Sequence, residues 1–216
     1  MTQIQQRNGL QGRSVFVSAS IPDPTRWPAD FRALDITDAV VAVARAVLQR
    51  GGRLVTAAHP TIAPLLLYVA SETQRSSRPS VVVYQSAVFE TVLPESTRRF
   101  EADGVGELIR TPAVGDEPPD PVRATKSLPL MRRQMLTSEA PIGAVFVGGM
   151  EGISAEHEMF HELWPTAPTY AFGRPGGASR SLVDLSPEDL RAGLAESDVY
   201  PALARRVIDH LVGQVE

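Results

Sequence analysis

The segment Ala144-Val145-Phe146-Val147-Gly148-Gly149-Met150-Glu151-Gly152-Ile153-Ser154-Ala155-Glu156-His157-Glu158-Met159-Phe160 decides how this chain is read. A continuous apolar run breaks at paired glycines and passes into an acid-rich stretch with helical spacing. That order predicts a buried parallel strand, a tight turn and a helix N-terminus. The first amides of a helix lack intrahelical partners, so α/β proteins use this geometry to receive anions. Glycine in the turn lets the backbone come close to a ligand. The plainer reading is a turn that needs glycine for its own conformation.

Working outward, five more short apolar runs predict strands at residues 14–20, 53–58, 80–85, 106–111 and 168–172, with the quoted run supplying another at 143–147. Helical periodicity falls between them. Residues 39–50 stop at Gly51-Gly52, with Asp35 or Thr37 as the expected cap. Residues 62–71 carry Pro64 in the first turn, where its missing N–H costs nothing. Residues 91–101 are a polar connection, and Thr125 or Ser127 opens a helix through residue 138. The helix after the quoted strand extends to about residue 163. Ser186-Pro187 reads as an N-cap and first helical position, and residues 200–215 form the last helix. Residues 1–13 read as a loose arm. Strands alternating with helices predict right-handed crossovers and an α/β, Rossmann-like three-layer fold with a mainly parallel sheet. At 216 residues, one domain is expected.

Composition narrows the function classes. The net charge of −4 gives no electrostatic reason to expect nucleic acid or an anionic membrane as a partner. With no cysteine, disulfides and thiolate chemistry are excluded. The longest apolar run, residues 62–70, is interrupted by Pro64 and too short to span a bilayer, so a cytoplasmic protein is expected. His157-Glu158-Met159-Phe160-His161 matches the zincin letters, but the helix that carries it follows a buried strand, and Met159 and Phe160 supply a packing face. No metal and no cofactor is read from the chain.

In open parallel sheets, ligands bind outside the carboxyl ends of the strands. Four loops there carry suggestive chemistry: residues 18–24, 56–61, 148–156 and 173–179. From them come Ser18, Ser20, His59, Thr61, Gly148, Gly149, Gly152, Glu156, Gly176 and Gly177 as candidate ligand-binding residues. Each has a structural alternative: small residues permit packing, and a lone histidine often serves as a local hydrogen-bonder. Arg132 and Arg133 lie on the helix before the fifth strand, either projecting over the site or solvated at the surface.

With these loops assembled, the chain resembles the SLOG superfamily, the Rossmann-like group containing Lonely Guy (LOG) phosphoribohydrolases and DNA-processing relatives. It looks closest to the branch found in bacterial conflict and defence systems. The resemblance rests on Val15 to Ser20, Thr56 to Leu65, Ser127-Leu128 with Met131-Arg132, and Val147 to Glu156. LOG enzymes carry P-G-G-x-G-T-x-x-E, with an arginine on the preceding helix. Glu156 matches the motif glutamate, and Arg132 or Arg133 falls at the arginine. Val147 replaces the proline, one extra residue separates the glycines, and Ile153 stands in place of the phosphate-binding threonine.

The resemblance therefore implies a sensor for a nucleotide-derived small molecule of the NAD or ADP-ribose type, with a separate effector protein as partner and homo-oligomers possible. The alternative it implies is a nucleotide N-glycosidase in which Glu156, Arg132 and Arg133 are catalytic.

Overall fold

The computed structural model describes residues 9–73 and 79–214. Six strands form one sheet: β1 (Ser14–Ser20), β2 (Arg53–Ala57), β3 (Val81–Ser86), β4 (Glu107–Thr111), β5 (Ala144–Gly148) and β6 (Thr169–Phe172). Their order is β4-β3-β2-β1-β5-β6, and every neighbouring pair is parallel. The fold is thus α/β and Rossmann-like. The central strands β1, β3 and β5 are buried almost end to end, which is why they read as unbroken apolar runs.

Helices cover both faces. On one lie α1 (Ala33–Gln49), α2 (Ile62–Ser71), α3 (Glu95–Ala102) and the last helix, α7 (Tyr200–Gly213); on the other lie α4 (Ser127–Glu139) and α5 (Glu151–Leu163). A shorter α6 (Glu188–Glu196) follows β6 after a 3-10 turn at Ala178–Leu185. α1 buries Ile36, Ala39, Val40, Val43, Ala44 and Val47, a stripe at helical spacing. Beneath α5, Phe16 meets Phe146 edge-on at 6.1 Å and stacks on Phe160 at 6.3 Å. All three rings are fully buried, and each contributes about 1.5–3 kcal/mol through burial alone.

The chain adds β2, β3 and β4 outward on one side of β1. It then returns through α4 to lay β5 on the other side. That reversal is the topological switch point, and the loops leaving β1 and β5 diverge there to open a crevice. Register places Ser20 opposite Gly148, so both strands run out at the same level.

The structure differs from the sequence reading at several ends. α1 starts at Ala33 rather than residue 39, and Asp35 and Thr37 lie inside it. Thr37 Oγ1 donates back to Ala33 O at 2.7 Å, so it does not cap. The entry to α1 is set by a tertiary contact, Arg32 N–H to Pro175 O at 2.8 Å, which no local signal announces. Ser186 does not cap α6; its hydroxyl accepts from Ala171 N–H at 3.0 Å and ties β6 to the turn. Residues 9–13 are docked rather than loose, with Leu10 fully buried and its N–H bonded to Arg50 O. The rest of the expected arm, residues 1–8, and the end of the last helix at residue 215 lie outside the described residues. Among the described residues, no helix is long and apolar enough to cross a membrane.

Candidate functional site

A cavity of about 800 Å³ opens at the switch point. β1 delivers Ser18 and Ser20, β2 delivers Thr56, and the turn after β2 delivers His59. α4 contributes Met131 and Arg132, and the first two turns of α5 contribute Gly152 and Glu156. Six of the residues expected at a site therefore meet in one hollow: Ser18, Ser20, His59, Arg132, Gly152 and Glu156.

Glu156 is the centre of this group. It is only 8% exposed, and a buried carboxylate requires partners. Ser18 Oγ donates to Oε2 at 2.5 Å, and Arg132 Nε donates to Oε1 at 2.9 Å. Arg132 and Glu156 form an ion pair whose side chains are 17% and 10% exposed. Only Nε of Arg132 faces the carboxylate. Its Nη2 lies 3.1 Å from the point where a Cβ on Gly152 would stand, so the guanidinium rests against the opening turn of α5. A cation beside the positive end of a helix is unfavourable by itself. An anion placed beside both satisfies both.

His59 lies across the cavity. Thr61 N–H donates to its Nδ1 at 3.4 Å and the Thr61 hydroxyl is 3.0 Å from the same atom, which leaves the ring proton on Nε2. Burial pushes the His59 pKa below its usual value, with the nearby Glu156 carboxylate opposing the shift. His59 is accordingly neutral at pH 7 and presents one N–H donor. Arg26 comes from the link after β1, where Asp23 accepts from the N–H and hydroxyl of Thr25 to form a local turn. Those two bonds hold the exposed Asp23 carboxyl below its ordinary pKa.

The opposite wall is apolar. Phe89, Val92, Pro121, Val122, Leu128 and Met131 line it. Val92 and Val122 are 53% and 63% exposed, so this rim faces open solvent without a partner. The cavity thus has a cationic, hydrogen-bonding end at β1 and β5 and an apolar end at β3. Gln85, at the close of β3, is buried yet lines the cavity.

Other expected site residues stand elsewhere, for physical reasons. The amides of Gly148 and Gly149 are already engaged: Gly148 N–H donates to Ser179 Oγ at 2.8 Å, and Gly149 N–H to Ser20 O at 2.7 Å. No donor is left there for a phosphate. Both glycines have positive φ, and a Cβ on Gly148 would stand 2.6 Å from Ser20 O, so their role is to let two backbones meet. Gly177 serves the same junction, since a Cβ there would be 2.6 Å from the carbonyl carbon of Gly148. Gly176 lines a separate hollow of about 410 Å³ with Arg32, Arg174, Arg180, Asp30 and Glu196. Thr61 supports His59 from outside the cavity. Arg133 is an exposed partner of Glu162 at 3.1 Å. The amides of Thr61, Ile62 and Ala63 all bond to His59, so they are not free for a ligand. His157 is buried against the Phe146 ring at 5.2 Å and His161 stacks on it, a packing arrangement; among the described residues, no group of three metal-ligating side chains forms.

Arg26, Gln85 and the apolar wall escaped the sequence reading. Gln85 alone carried a local signal: a polar residue closing a strand of otherwise apolar, mostly β-branched residues.

A family model described as the SLOG cluster3 family matches residues 27–208. No curated protein matches the chain.

Proposed function

We propose, since this chain belongs to the SLOG cluster3 family, that its switch-point cavity binds a nucleotide-derived ligand of the NAD or ADP-ribose type. In this reading the protein is the sensor component of a bacterial defence or signalling system and reports occupancy to a separate effector. The carrying observation is the pairing of a cationic helix-end site, Arg132 at Gly152, with an apolar wall in the same cavity. Phosphate sits beside Arg132, where the guanidinium and the opening amides of α5 both face it. Glu156 accepts from a ribose hydroxyl, and His59 Nε2–H donates to another. The base lies on the apolar wall, where aromatic and aliphatic surface supports a planar ring.

A thermal-shift screen with AMP, NAD and ADP-ribose tests this, with products followed by chromatography. Ligand at 100 times Kd raises stability by about 2.7 kcal/mol. A shift without turnover supports sensing, and no shift with any of the three refutes it.

One observation favours a second reading, nucleotide N-glycosidase. Glu156 is held rigid between Ser18 and Arg132, as a carboxylate that stabilises a developing oxocarbenium ion must be. Release of free base, lost in Glu156→Ala, would establish it. Ile153 weighs against it, because the LOG motif has a hydroxyl donor to phosphate at that position.

A further inference from the structure

Gln85 plays no part in the polar cluster around Glu156. It stands two strands from β1, so roughly 10 Å from Ser18 across the sheet. Its side chain is 5% exposed, and a polar group buried so deeply needs partners. Nε2 has one: it donates to Phe89 O at 3.0 Å. That bond fixes which way the amide faces, because a flipped amide would set oxygen against the carbonyl oxygen. Oε1 takes no hydrogen bond among the described residues, and it is not sealed from the cavity that Gln85 lines. The second Nε2 hydrogen is also unused.

Phe89, Val92, Pro121 and Val122 supply carbon surface in the same cavity, and of the β3 and following-turn residues that line it Gln85 alone has a polar side chain. A planar ring resting on that surface meets the Gln85 amide at its edge. We infer that Gln85 is a specificity-determining residue, accepting an N–H from the edge of a nucleobase and favouring adenine-type bases whose exocyclic amine sits beside a ring nitrogen. The oxygen takes the amine hydrogen, and the free Nε2 hydrogen reaches the ring acceptor. An amide pairs with adenine in this way wherever it meets that edge. Ser18 holds Glu156, so the roughly 10 Å between Gln85 and Ser18 leaves room for a ribose between the base and a phosphate at Arg132.

This inference rests on the nucleotide reading of the cavity, and the test separates the two. Calorimetry is run with AMP and ADP-ribose, each beside its 6-desamino analogue, whose purine ring carries acceptors only. The analogue leaves Oε1 buried and unpaired, so it should bind about tenfold or more weaker. In Gln85→Leu the two members of each pair should bind alike, provided circular dichroism shows the variant folded. Equal binding of nucleotide and analogue to the native protein overturns the role of Gln85 while leaving the nucleotide reading in place. A preference that survives in Gln85→Leu does the same. Failure of both nucleotides to bind overturns the inference together with the reading beneath it.

Discussion

The glycine turns after β5 and β6 hold each other, and a pair of alanine substitutions isolates that contact. Gly177 has φ +74°, and a Cβ built on it would lie 2.6, 2.8 and 2.9 Å from the carbonyl carbon, oxygen and Cα of Gly148. All three neighbours are backbone, so none can swing aside as a flexible side chain would. Gly104 has φ +67° and nothing within 4 Å of the same construction. Gly104→Ala meets the positive-φ backbone penalty of about 1–2 kcal/mol, whereas Gly177, with ψ −168°, lies in a region that is essentially glycine's alone and costs another residue about 1–3 kcal/mol. Only Gly177→Ala adds overpacking, worth about 1–3 kcal/mol. Gly104→Ala should therefore cost about 1–2 kcal/mol and Gly177→Ala about 2–6 kcal/mol, with the midpoint of urea unfolding moving and the slope unchanged. Forcing the two turns apart also moves Gly149, whose N–H is tied to Ser20 beside the cavity, so Gly177→Ala should weaken ligand binding while Gly104→Ala should not. Equal losses of stability in the two variants would refute the reasoning.

Arg132→Gln removes the cation facing a buried carboxylate and should cost about 2–3 kcal/mol in urea unfolding, together with most ligand affinity. Arg133→Ala, one residue away, breaks an exposed pair with Glu162 and should stay within about 0.5 kcal/mol with affinity intact; a larger loss would put Arg133 back in the site. Burial lowers the pKa of both His59 and His157 in the folded protein, so the unfolded chain binds more protons once pH drops below the ordinary histidine value of about 6.5. Their contribution to stability is complete above that pH and is lost as pH falls through the folded values. Urea midpoints at pH 7.5 and 5.5 should show the loss, and His157→Gln should reduce the difference. Phe160→Ala should cost about 3–5 kcal/mol, since its ring is fully buried against Phe16.

The sheet was legible because burial on both faces writes a strand as a plain apolar run, and Ser14–Ser20 and Ala144–Gly148 show it. The polar half of the cavity was legible too, since strand ends and a helix N-terminus announce themselves locally. What the sequence hid depends on contacts between distant segments. Ser179 and Ser20 occupy the glycine amides from residues far along the chain, so a turn that looks like an anion cradle is a structural joint. The start of α1 depends on Pro175, far beyond its own neighbourhood. The apolar wall joins the turn after β3 to the proline-rich segment before α4. Each reads as mere connection until the sheet brings them together.

The central claim is that an anionic nucleotide binds beside Arg132, at the start of α5. Isothermal titration calorimetry of ADP-ribose against the native protein and Arg132→Gln, at low and moderate salt, tests it most directly. The account predicts saturable one-site binding that weakens with salt and is largely lost in the variant. Saturable binding unchanged by Arg132→Gln, or no binding by the native protein, would contradict it.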